Sequence, residues 1–170
     1  MTTNAQYQFS TRAPAGALAR FGRAVADVLW ERAPDAATAA MLRARYGLLG
    51  ELANADRIVT SHEVAVVTGV MDRDELSNVA RALALDAFED GRYNRFDSKE
   101  AIALLLRAHQ SGSPVMNMLL NDAMRLALSD GRLRKVERDW LVVLGASFNT
   151  SAEGIDARLR FLAPSVRAAA

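Results

Sequence analysis

One motif is written twice in this chain, and the repetition constrains the fold more than any other feature. Residues 52–63 read LANADRIVTSHE and residues 126–137 read LALSDGRLRKVE, an offset of 74 residues. Each copy has alanine at its second place (Ala53, Ala127), aspartate three residues later (Asp56, Asp130) and an aliphatic residue three further on (Val59, Leu133). A glutamate follows seven residues after each aspartate (Glu63, Glu137). Each copy also follows an apolar, helix-favouring run. Helices joined by short loops pack as antiparallel neighbours. The expected class is therefore all-α, with about eight helices in two pseudo-repeated antiparallel halves packed into one domain. The halves cover about 35–90 and 114–162, bridged by a helix at 98–110.

Local punctuation sets the remaining boundaries. Residues 1–13 are polar and aperiodic, a flexible N-terminus. Residues 14–34 follow as an N-terminal docking helix, striped by Leu18, Phe21, Val25 and Leu29 and closed by Ala33-Pro34. Arg12, Arg20 and Arg23, with no acid among the first 26 residues, also resemble an organelle transit peptide; the apolar stripe favours the docking helix. Asp35 caps the next helix. Four later starts carry a capping residue followed three on by glutamate: Thr60/Glu63, Asp72/Glu75, Asp97/Glu100 and Thr150/Glu153. Ser113-Pro114 is a fifth start, with proline at the first helical position. These signals predict helices near 61–70, 73–89, 98–110, 114–129, 135–148 and 151–162, and a flexible tail at 163–170. The run VAVVTGV at 64–70 has strand-like β-branching, but its capping box and its place in the repeat make it helical.

Composition excludes several chemistries. The chain has 170 residues, enough for one cored domain or two closely packed half-domains. It has no cysteine, hence no disulfide, thiolate metal site or cysteine nucleophile. Its longest apolar run, AIALLL at 101–106, is far short of a membrane span, and no apolar signal-peptide centre is present. A cytoplasmic location is expected, with peripheral membrane association left open. There are two histidines, His62 and His109, and no glutamate is followed three on by histidine, as helical di-iron sites require. HEVAV at 62–66 starts like a zinc-protease motif but has Val66 where the second histidine belongs. No phosphate-cradling glycine loop or nucleophile elbow appears, so no enzyme activity is expected. Trp30 and Trp140 read as core residues.

The duplicated acids carry the functional question. Glu63 and Glu137 fall in first helical turns, where capping alone accounts for them. Asp56 and Asp130 fall at the closing turn of a helix, where the macrodipole disfavours an anion by roughly 0.3–1 kcal/mol. Three compensations are open: amides of the connection, which rank first; an arginine among Arg57, Arg132 and Arg134; or a hard cation shared with the glutamates. DGRLRKVE matches the latter half of an EF-hand loop, yet Leu126 and Leu128 stand where oxygen ligands are needed, so it is not one. A secondary acidic cluster, Asp86, Glu89 and Asp90, gathers at another predicted helix end, ahead of Asp97. The basic residues Arg132, Arg134, Lys135 and Arg138 form a candidate phosphate-binding patch. Asp130, Glu137 and Asp139 interleave with them, and nucleic-acid binding is not favoured.

With ADRIVTSHE and SDGRLRKVE side by side, and with the ending LGASFNTSAEGIDARL, the chain resembles the TerB-like family. These are tellurite-resistance-associated helical domains, also found at the N-terminus of DjlA-type co-chaperones. The resemblance covers about residues 35–162. It implies a pseudo-two-fold helical fold, a role in stress response or protein assembly, and a protein partner. It also implies inter-helix acidic clusters that take a divalent cation, calcium or magnesium; carried over, the ligands are Asp56, Glu63, Asp130 and Glu137. The first copy departs from the pattern, with Arg57 where glycine usually follows the aspartate. DjlA-type proteins continue into a J-domain with a His-Pro-Asp tripeptide. Neither His62 nor His109 precedes proline, so a complete co-chaperone of that kind is not expected.

Overall fold

A computed structural model describes residues 33–56 and 60–169, the last six of these in backbone only. The expectations for residues 1–13 and for the docking helix up to residue 32, and the readings at Trp30, Arg57 and Val59, lie outside the described residues. Those described form seven helices and no strand: α1 (Ala36–Ala53), α2 (Ser61–Arg73), α3 (Asn78–Arg92), α4 (Ser98–Ala108), α5 (Pro114–Ala127), α6 (Lys135–Ser147) and α7 (Ala152–Ala169). VAVVTGV lies wholly inside α2, as its cap demands. Among the described residues no helix is long and apolar enough to cross a membrane.

Four of the expected starts hold as read, the Thr60/Glu63 box among them. The Asp35 carboxylate accepts from the Thr38 amide at 2.8 Å, and Asp97 accepts from the Lys99 and Glu100 amides at 3.0 Å each. Ser113 accepts from Met116, with Pro114 following it. Two expected boxes are displaced. Asp72 is inside the last turn of α2, and Glu75 has φ 49, so this pair ends a helix instead of starting one. The Leu76 amide bonds to the Met71 carbonyl and Glu75 to Asp72, a Schellman closure with glutamate in the left-handed position that usually takes glycine. The next helix therefore starts at Asn78, capped by Ser77, and runs to Arg92 in place of 73–89. The last helix is capped by Ser151, whose hydroxyl accepts from Gly154, and not by Thr150. Thr150 instead donates its amide to the Gly145 carbonyl in a second Schellman closure built on Asn149 (φ 59).

The two helices that lead into the motif copies, α1 and α5, form the centre. From Ala44 onward α1 is buried on almost every side, including Tyr46, Leu48, Leu49 and Leu52. Burying each leucine contributes roughly 1.5–3 kcal/mol. α5 contributes Met116, Leu119, Leu120, Ala123, Met124 and Leu126. α1 packs on α3, α4 and α5, whereas α5 also meets α2, α6 and α7. The bridging helix, α4, thus covers α1. Its end at Ala108 is two residues earlier than expected. Trp140 is half-buried against the core, as read from its helix-interior position.

The α1–α3 contact is backbone against backbone. A Cβ placed on Gly50 would overlap the Phe88 carbonyl oxygen, and one on Gly91 would overlap the Gly47 carbonyl oxygen. Neither obstacle is a flexible side-chain end, so neither can turn aside. Gly50→Ala and Gly91→Ala should each destabilise the protein by about 1–3 kcal/mol or more through forced separation of the helices. Denaturant unfolding checks this; alanine variants as stable as wild type would contradict the close crossing.

Candidate functional site

The two motif copies occupy equivalent local settings. α1 closes at Asn54 and α5 at Leu128, so Asp56 and Asp130 each lie two residues beyond a C-cap, at the negative pole of a core helix. Glu63 and Glu137 are each the third residue of the next helix, and both are buried. Each glutamate turns back on its own helix start. Glu63 Oε2 accepts from the Thr60 amide at 2.6 Å, and Glu137 Oε2 accepts from the Arg134 amide at 2.7 Å.

The copies differ at the cap itself. Thr60 completes its box by accepting from the Glu63 amide at 3.2 Å. Its counterpart is Arg134, whose guanidinium has no acceptor to offer. That side chain reaches outward instead. Arg134 Nε lies 2.9 Å from Asp56 Oδ2, Nη2 lies 3.0 Å from Asp130 Oδ2, and Nη1 lies 3.7 Å from Glu137 Oε1. One guanidinium thereby joins the acids of both copies. The Arg132 amide adds 2.8 Å to Asp130 Oδ1. Compensation of the two aspartates thus combines a connection amide with an arginine, and the arginine at Asp56 comes from the other copy.

Burial dominates the electrostatics of the glutamates. It raises Glu63 above the usual carboxylate range, against the Thr60 amide and hydroxyl, with help from the charges of Asp56 and Asp130. Burial pushes Glu137 up to about 7 although its bond to the Arg134 amide and the Arg134 charge oppose it; Asp56 and Asp130 again add. Burial disfavours the Arg134 charge, but Asp56, Asp130 and Glu137 outweigh that and hold its pKa above the ordinary arginine value. As for the cation that the family resemblance implies, one oxygen on each of the four carboxylates already faces an amide or Arg134. Among the described residues no three acids or histidines are grouped to hold a metal ion.

The other sequence candidates are dispersed or paired. α3 extends past the secondary acidic cluster, where Glu89 pairs with Arg92 at 2.7 Å and Asp90 with Arg95 at 3.0 Å; Asp86 is exposed. Of the basic patch, Arg134 is turned into the acids and Arg138 is held by Asp156 at 2.7 Å. Lys135 pairs with Asp139 at 2.5 Å, and Arg132 lies on the surface. The patch is not a free positive stripe.

A second charged network escaped the sequence reading. Asp122, on the buried side of α5, accepts from Arg45 Nη2 at 2.7 Å and from Arg73 Nη1 and Nη2 at 2.7 and 3.0 Å. Arg45 Nη1 and Arg73 Nη2 also reach Asp74, at 2.6 and 2.9 Å. Two cations and two anions tie the end of α2 to α1 and α5. Burial raises the Tyr46 phenol beside them, and the hydrogen bond to Asp122 raises Arg73. The available signal was an aspartate on the apolar stripe of LLNDAMRLA, since a buried carboxylate needs a cation. Nothing local names partners 77 and 49 residues away.

Residues 36–158 match the model of the family described as tellurite resistance protein TerB. The chain belongs to the TerB family. Among the relatives of this TerB-family chain are proteins named co-chaperone protein DjlA. That of Photobacterium profundum is 29% identical over 116 residues, 68% of this chain and 42% of the relative. That of Aliivibrio fischeri is 28% identical over 122 residues, 72% and 43%, and that of Yersinia pestis 27% over 118 residues, 69% and 43%. The chain thus spans less than half the length of these relatives. No solved structure matches.

The raised Glu137 sets a sign for pH. Its folded pKa, about 7, lies above the ordinary 4.5, so the folded TerB domain binds this proton more tightly than the unfolded chain. The resulting stabilisation is full below about pH 4.5 and is lost as pH rises through about 7. Glu137→Gln keeps an acceptor for the Arg134 amide and removes the titration. Thermal midpoints between pH 5 and pH 8 should fall more for wild type than for this variant; identical profiles would show that Glu137 titrates normally.

Proposed function

We propose that this TerB-family protein is a non-enzymatic interaction module of a stress response, acting in the cytoplasm by binding a protein partner. Its similarity to part of several co-chaperones carries the reading. The commitment of its buried charges supports it: Glu63, Glu137 and Asp122 are spent on helix ends and ion pairs that fasten the bundle. A general acid or base must instead reach a bound substrate.

One position on the described surface suits such a partner. A cleft of about 240 Å³ opens between the turn after α5 and α7, lined by Leu128, Gly131, Leu133, Leu159, Arg160 and Ala163. It is mainly apolar, and Phe161 on the same helix is 80% exposed. An apolar peptide side chain inserted there, with Arg160 at the rim for an acidic neighbour, fits this chemistry.

Ala163→Phe fills the cleft and Phe161→Asp changes the surface beside it, without touching the most buried residues. Partners cross-linked to the intact protein in stressed cells should be recovered at roughly ten-fold lower yield with either variant, the equivalent of about 1.4 kcal/mol. Undiminished recovery would place the partner elsewhere. Robust turnover of a small molecule that tracks the folded chain would contradict the binding role itself.

A further inference from the structure

The four motif acids form one joint between two helix–turn–helix units, and the joint has one described guanidinium in it. Where the first copy spends its cap residue, Thr60, on its own helix amide, the second gives up that bond. Arg134 instead spans Asp56 and Asp130 at 2.9 and 3.0 Å. It stands where a cation shared by the two copies would have to stand. Glu63 and Glu137 meanwhile face their own helix starts.

We infer that Arg134 is a tethered counter-ion that makes the acidic joint independent of metal, so that the divalent cation implied by the family resemblance is replaced by this chain's own side chain. A guanidinium suits the role because its planar donors reach two carboxylates at once. Its charge does not dissociate into solvent or depend on cation concentration. The loss of the capping bond at α6 is the structural trace of the exchange. This inference concerns the joint alone and stands apart from the partner cleft.

The test uses the full chain and calcium chloride as the probe. Arg134→Thr places the first copy's capping residue in the second, so the start of α6 keeps a good cap while the positive charge is lost. In calorimetric titrations wild type should show no saturable calcium binding at millimolar metal, with an unchanged thermal midpoint. Arg134→Thr should bind calcium saturably, with affinity raised roughly ten-fold or more and a midpoint that climbs with calcium; adding Asp130→Asn should abolish both. Saturable wild-type binding that Asp130→Asn removes would overturn the inference, as would a folded Arg134→Thr protein indifferent to calcium. If Arg134→Thr does not fold without metal, recovery with calcium supports the inference. Failing that, Arg134→Lys decides: a folded, calcium-indifferent protein supports the counter-ion role, and an unfolded one shows that shape and not charge was required.

Discussion

An aspartate just beyond the carboxyl end of a helix faces the negative pole of that helix, and this chain places one there twice. Asp56 follows α1 and Asp130 follows α5, the two helices at the centre of the core. Moving either acid to solvent would move the turn that aims the next helix. The charge must therefore be answered in place, and Arg134 answers it for both. Both capping glutamates hold their protons more tightly than exposed glutamates do because they are buried, and the charges of Asp56 and Asp130 add to that.

The second network solves a similar problem differently. Asp122 is enclosed by apolar neighbours on α5, and breaking a buried pair by removing one partner costs about 3–5 kcal/mol. Arg45 and Arg73 come from α1 and α2, so the aspartate dictates where the end of α2 can sit. α2 itself buries little apolar surface beyond Val67, Val70 and Met71. Its closing end is consequently set by charge, through Arg73. α3 is fixed by the opposite means, two glycines, Gly50 and Gly91, that let its backbone lie directly on α1.

What could be read from the sequence follows from the range of each interaction. Helical class, the motif boundaries and the caps at Asp35, Thr60, Asp97 and Ser113 depend on residues within four positions of one another, and they were legible. Asp72/Glu75 was misread because the same spacing also fits the close of a helix, and only the positive φ of Glu75 distinguishes the two. α3 also runs three residues past its expected end at 89, and Asn94 closes it in the left-handed conformation. At the site, the four acids were named from their spacing. The assignment of Arg134 to Asp56, 78 residues away, was not available, because spacing within one copy says nothing about which residue of the other copy faces it. The four-charge network around Asp122 was invisible on the same ground.

The central claim is that Arg134 couples the two motif copies through Asp56. A double-mutant cycle of Asp56→Asn and Arg134→Thr, read as unfolding free energies at neutral pH and low salt, tests it most directly. The account predicts a coupling energy of about 1 kcal/mol or more, with the second substitution costing little once the first is present. Additive effects, within roughly 0.3 kcal/mol, would mean that the copies are held together without this contact and would contradict the account.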